Sequence, residues 1–305
     1  MNLVALGIIA GIVLLPVLRA LGIHREASVY ASRLLTALAF VVIFLVGVLA
    51  GSAIRAPSLA LSVILLGLAM SITSILASLL AASLLLMPRK MKQADRGISG
   101  KMAPSGTFTP LRALVVMALG WALGLSSPSL LGEVLGQVLY YLVSVLVFVA
   151  VLSVAAEIEA MIQNTRLLGL GALLGALTML SSGLVLLVFY PLTHIEPRVL
   201  VAIGAASGWY SLVGPLLTSV NPVYGAIGFL ANLFRESLHI LLYPVVSAKG
   251  LALPGVAMGG ATSMDTGLPV IAIYGDKESM ITGIVQGVVI TLTTPVVLSI
   301  LLPYS

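Results

Sequence analysis

Leu34 to Ala50 reads LLTALAFVVIFLVGVLA, without a charge, and stretches like it recur along the whole chain. As an α-helix, about twenty such residues cross the ~30 Å hydrocarbon core of a bilayer with every backbone N–H and C=O satisfied internally. Membrane β-barrels need strict alternation of apolar and polar residues, and these runs have none. Only 8% of the 305 residues are charged and 60% are hydrophobic, whereas about 25% charge is usual in a soluble domain. The fold class that follows is an all-α multi-span membrane protein, a single membrane domain over residues 1–305.

Ten apolar segments can be drawn, at about 2–21, 34–54, 58–87, 111–130, 134–156, 167–190, 199–219, 222–245, 252–274 and 279–302. The first has no basic leader and no small-residue cleavage site, so it reads as a span and not a signal peptide. One long polar connection, 88–110, carries Arg89, Lys90, Lys92, Arg96 and Lys101 and is expected to be a cytoplasmic loop. With all ten segments crossing, eleven basic residues fall in odd-numbered connections and three (Arg55, Arg198, Lys249) in even-numbered ones. Cytoplasmic loops hold the excess of Lys and Arg, which predicts both termini outside. If the seventh and ninth segments are re-entrant, eight spans remain and the termini stay outside, so eight to ten transmembrane helices are expected. Ten segments divide into approximate halves, 1–165 and 166–305, of inverted direction, a common transporter plan.

The chain has no cysteine, which excludes disulfides, zinc-thiolate sites and cysteine nucleophiles. His24, His194 and His239 are far apart and offer no metal-ligand spacing. No metal and no cofactor are expected. The net charge of +5 lies mostly in loops between spans, where it orients the chain and does not make a nucleic-acid surface.

Three charges fit neither a loop nor a helix end: Arg235, Glu236 and Asp265. A charge near the bilayer centre costs about 2.5–3.5 kcal/mol on insertion scales, which marks it as functional by default. Arg235 and Glu236 lie in GAIGFLANLFRESLHILLYP, where Asn232 and Glu236, and Arg235 and His239, are i,i+4 neighbours on a helix. One bland alternative is a self-neutralising Arg–Glu pair, or Arg235 bonded to Asp265.

Asp265 sits in GGATSMDTGLP, whose Gly259, Gly260, Gly267 and Pro269 weaken continuous helix. GAASGWYSLVGPLLTS, around Gly208, has the same character. Interrupted helix within a membrane is tolerated where it is buried in protein or lines a cavity, and its half-helix ends bind ions. Two broken or re-entrant helices flanking the charged segment therefore predict a midplane site. Two enzyme readings are weaker. DTG at 265–267 is a single protease-like tripeptide in an all-helical chain, and a serine protease built from Ser207, Ser211 and His239 leaves Glu236 and Asp265 unused.

SGWYSLVGPLLT, GFLANLFRES and GGATSMDTGLPV, in this order and spacing, resemble the signature blocks of the LysO-type lysine exporters. The resemblance covers roughly 200–302, with the first half similar only as a pattern of spans. It implies export of L-lysine and analogues such as thialysine across the cytoplasmic membrane by proton antiport, by a protein that is not an enzyme. It also implies kinship with inverted-repeat transporters that have broken helices. The pattern carries onto Gly208, Trp209, Tyr210, Ser211, Asn232, Arg235, Glu236 and the run from Gly260 through Thr262 and Ser263 to Asp265. Pro215 departs from a position usually small or apolar, and Gln286 stands where a histidine is expected. Lysine brings two cations and one carboxylate. Glu236 and Asp265 suit the cations, Arg235 and half-helix N–H groups the carboxylate, and Trp209 or Tyr210 can face an ammonium. Either carboxylate is a candidate proton carrier. A sodium/proton or other organic-cation antiporter is the alternative, and a homo-oligomer is left open.

Overall fold

The computed structural model describes residues 3–86, 109–126, 131–153 and 165–302. Residues 88–108 of the expected polar loop lie outside them. Among the described residues every regular element is a helix. The N-terminal half holds α1 (Leu3–Ala20), α2 (His24–Ala53), α3 (Pro57–Leu86), α4 (Thr109–Ser126) and α5 (Leu131–Ser153). Then come α6 (Thr165–Val185), a 3-10 turn, the one-turn α7 (Tyr190–Thr193), α8 (Pro197–Ala205), α9 (Tyr210–Thr218) and α10 (Pro222–Ala248). After α11 (Ala252–Gly259) a 3-10 stretch, Gly260–Met264, leads to α12 (Leu268–Tyr274) and α13 (Lys277–Leu301). Five of the described stretches are long and apolar enough to cross a bilayer. Leu80, Leu119, Leu180 and Leu241 are more than 60% exposed on helix faces, the surface a hydrocarbon solvent leaves uncovered. The chain is a multi-pass membrane protein.

Close contacts fix which way each helix runs. Arg166 pairs with Glu278 at 3.8 Å, while farther along Gly171 meets Val285 and Gly175 meets Val289, so α6 and α13 are parallel. Near the start of both, Ser247 of α10 donates to the Tyr274 carbonyl, and Tyr243 lies on Gly275. This end, the Arg166 end, is therefore where α10 finishes and where α6 and α13 begin. At the other end, α6 runs out through α7, and α8 starts back inwards, with Gly204 against Ser182.

Segment seven does not cross. α8 enters from the far end, the chain turns at Ser207–Gly208, and α9 returns to that same end along the start of α10. Thr218 packs on Gly225, and Tyr210 packs on Phe229. Segment nine is its mirror from the Arg166 end. α11 descends past Tyr243 to His239, and α12 climbs back from Gly267, which also meets His239, to Gly275 beside Tyr243. Both broken segments are hairpins that return to the end they enter from, and among the described residues the helices of 18 or more residues are α1 to α6, α10 and α13. Within the C-terminal half the first hairpin with α10 and the second hairpin with α13 run in opposite senses, an inversion different from the one expected between residues 1–165 and 166–305.

The N-terminal half packs as glycine-mediated pairs. A Cβ at Gly47 or Gly51 of α2 would lie 2.3 or 2.2 Å from a carbonyl oxygen of α4, and one at Gly120 or Gly124 of α4 would lie 2.2 or 2.1 Å from a carbonyl of α2. Within a bilayer there is no hydrophobic drive between helices, and small residues let backbones approach closely enough for dispersion to hold them. α3 stands apart from its half: Gly67 meets Leu230 of α10, and Ser74 accepts from Ser182 of α6.

Candidate functional site

The two hairpin tips touch at the middle of the bundle. Ser207 and Gly208 take φ values of 49° and 97°, and Gly260 takes 61°, the left-handed region in which a Cβ is strained. A Cβ on Gly260 would also lie 2.0 Å from the Ser207 carbonyl oxygen. That close approach lets the Ala261 N–H donate to Ser207 O at 2.8 Å, joining one tip to the other.

A helix that ends inside a membrane leaves its last carbonyls without partners, and here side chains from the long helices supply them. Asn232 of α10 donates to Ile203 O at 3.0 Å and accepts from Gly208 N at 2.7 Å, closing the first tip. Arg235, 1% exposed, donates through Nε to Met258 O at 3.0 Å and through Nη2 to Ala257 O at 2.9 Å, both at the C-terminal end of α11. Its remaining bonds go to Ser182 Oγ at 2.7 Å and Ser78 Oγ at 3.2 Å. Four of the five donors a guanidinium carries are used, and the cation sits at the negative end of the α11 dipole. Gln286 of α13 donates to Val256 O at 3.0 Å and Gly260 O at 3.3 Å. Thr262 caps Gly259 O, and Ser263 donates to Gly260 O and Gly283 O.

Arg235 is thus bonded to neither acid, and the Arg–Glu and Arg–Asp pairs weighed from the sequence do not form. Ser78 and Ser182 were missed in the sequence. Their only signal is a hydroxyl one turn from another hydroxyl, Ser74 and Thr178, within otherwise apolar runs. The carbonyls of α8 and α11, expected to stand open, are taken.

The opposite ends of the half-helices differ. α9 and α12, starting at Tyr210 and Leu268, have no side-chain cap on their N-termini. Between them lies Glu236, fully buried, with no hydrogen bond to either carboxylate oxygen. Facing it are the Tyr210 hydroxyl, Thr266 and the Asp265 carboxylate. Asp265 is exposed, and its Oδ1 accepts from the backbone N–H of Thr266. Trp209 and Tyr210 are half-buried beside the first tip, with the Tyr210 ring edge-on to Phe229 at 5.4 Å. Ser211 is buried one residue farther on.

The elements therefore bring Asn232, Arg235, Glu236, Trp209, Tyr210, Ser211, Thr262, Ser263 and Asp265 to one place, but in two layers. Arg235, Asn232, Thr262 and Ser263 hold the tips, while Glu236, Asp265 and Tyr210 face one another with unused bonding capacity. Neither Ser207 nor Ser211 bonds to His239, whose nitrogens have no partner, so the nucleophile–base contact of a serine protease is not made. Among the described residues no cluster of three His, Asp or Glu side chains could hold a metal ion.

Comparison with known proteins meets this site from another direction. The chain is 36% identical over 100 residues to the lysine exporter LysO of Escherichia coli K12, an alignment that takes in 32% of this chain and 33% of that protein. It is 33% identical over 131 residues to a "Putative lysine exporter" of Haemophilus influenzae, covering 42% of this chain and 66% of the relative. The chain thus spans about a third of one relative's length and just under two thirds of the other's. The family model described as "Lysine exporter LysO" matches residues 114–302. That range runs from within α4 to the end of α13 and contains both hairpins and the charged face of α10, and the chain belongs to the LysO lysine exporter family.

Proposed function

We propose that this protein is a carrier, not an enzyme, that exports L-lysine and close analogues such as thialysine across the cytoplasmic membrane in exchange for protons. The observation that carries the reading is Glu236, buried without a hydrogen-bond partner, beside the exposed Asp265 at the starts of two half-helices that no side chain caps. Two carboxylates match the two ammonium groups of lysine. The start of α9, which no side chain caps, suits the carboxylate of lysine, since a helix N-terminus favours an anion. Trp209 is placed to meet an ammonium through its ring face. Arg235 contributes indirectly, by holding α11 so that the second tip keeps its shape.

Lysine and protons occupy the acids alternately. Proton binding from outside neutralises the carboxylates and expels lysine outward, and proton loss to the inside restores them for reloading. The Arg166 end faces the cytoplasm in this account. Among the described basic residues Arg19, Arg25, Arg33, Arg112, Arg166, Lys249 and Lys277 lie towards that end, and Arg55 and Arg198 lie at the other, which suits the positive-inside rule. Re-entrance of the first hairpin, which reverses the direction of α10, is what moves Lys249 to the majority side.

Proteoliposomes loaded with radiolabelled lysine test the reading. Efflux should accelerate under an inward proton gradient and ignore a sodium gradient of equal size. Efflux that follows sodium, or folded protein that moves no lysine, would refute it.

A further inference from the structure

The site leaves one buried titratable group unused. His239 lies one turn beyond Glu236 on α10, fully buried, and neither imidazole nitrogen has a hydrogen-bond partner. An unsatisfied buried polar atom is costly, a cost that an apolar side chain of similar volume would avoid. The ring is held between the two arms of the second hairpin, close to the backbone at Gly259 and Gly267. A Cβ at Gly259 or at Gly267 would lie 2.7 Å from Cε1 and 2.8 Å from Nδ1.

One turn farther, Tyr243 meets the imidazole edge-on at 5.5 Å, and its hydroxyl donates to Ala252 O at 3.0 Å. Ser279 of α13 adjoins it, for a Cβ on Gly275 would lie 2.5 Å from the Tyr243 hydroxyl and 3.3 Å from the Ser279 Cβ. Ser279 Oγ is buried without a partner. The backbone N–H of Ser279 donates to the half-buried Asp276 at 2.7 Å, at the Arg166 end of the molecule. Glu236, His239, Tyr243, Ser279 and Asp276 thus form a polar file about two helical turns long. It leads from the buried acid to the surface, and three of its five members have unpartnered atoms. The other charged and titratable groups along it are Arg235, bonded to the α11 carbonyls, and Asp265 and Tyr210, which face Glu236. From the hairpin arms, Gly259 and Gly267 meet His239.

We infer that His239 and Tyr243 carry protons between Glu236 and the Arg166 end of the protein, with Ser279 and Asp276 as the mouth of the path. The inference rests on the proton exchange proposed above. Neutral imidazole accepts the Glu236 proton at one nitrogen as the other releases its own towards Tyr243 and Ser279, and a tautomer change resets the ring. One proton enters and one leaves, only O–H and N–H bonds are exchanged, and no net charge stays on His239. Both ring nitrogens are unengaged, which leaves one open to accept a proton and the other to release one.

The test separates lysine movement from proton movement in proteoliposomes. Lysine–lysine exchange, which needs no net proton transfer, is followed with radiolabel, and lysine-driven proton flux with an internal pH dye. His239→Gln keeps a polar side chain of similar reach, and Tyr243→Phe removes one hydroxyl. Both should retain lysine–lysine exchange, while proton flux falls about a hundredfold, the low end of what a positioned proton-transfer group contributes. Undiminished proton flux in His239→Gln would overturn the path alone, as would equal loss of both activities in folded His239→Gln and Tyr243→Phe. Wild-type protein that exchanges lysine yet moves no protons would overturn the underlying reading, and the path with it.

Discussion

Two adjacent charges on α10 have opposite roles, and their variants should separate cleanly. Arg235 holds four hydrogen bonds at the end of α11, and Glu236 holds none. Arg235→Leu leaves Ala257 O, Met258 O and two serine hydroxyls without a donor, each costing about 1–3 kcal/mol. Its Tm in detergent should fall sharply, and Arg235→Lys should not rescue it, because a point charge cannot reproduce the planar fork. Glu236→Gln breaks no bond, so its Tm should hold while lysine-dependent proton flux disappears. A destabilised Glu236→Gln, or a stable Arg235→Leu, would reverse these assignments. The sequence picked out both residues, since charges in an apolar run are conspicuous. It did not give the partners of Arg235, because backbone carbonyls have no signature of their own. Nor does a helical wheel indicate which of two neighbours will find a helix end to cap.

Among the elements, the hairpins and the glycine pairs carry the architecture. Glycine, proline and hydroxyl residues inside apolar segments gave away both interruptions in the sequence. Whether each segment crosses or returns was not legible, because hydropathy registers apolar length and not direction. A segment of about twenty residues serves equally as one crossing helix or as two half-helices of nine residues or fewer, such as α8 and α9. Contacts with α6 and α10 decide it. The chain lacks cysteine, so single cysteines can report position without background. Cysteines replacing Glu196 and Asn221, which flank the first hairpin, should react with an impermeant thiol reagent from the same side, and labelling from opposite sides would mean a crossing segment. In the N-terminal half, Gly51→Leu or Gly120→Leu forces a side chain into a carbonyl of the facing helix. Loss of monodisperse folded protein is expected on size exclusion, and normal stability would show that α2 and α4 can separate.

For the molecule as a whole, the arrangement is a bundle in which α3 joins α6, α10 and α13 around two opposed hairpins, while α1, α2, α4 and α5 pack beside them. The tips meet at the middle of the bundle, and the acids lie beside that meeting point, where transporters of this plan hold their substrates. The proposal depends on one event above all, the displacement of protons by lysine at Glu236 and Asp265. It can be read without a membrane, by titrating lysine into purified protein in weakly buffered detergent solution and following pH alongside binding. The account predicts protons released in proportion to lysine bound, and loss of that release in Glu236→Gln. Lysine binding without proton release, or equal release from Glu236→Gln, would contradict it.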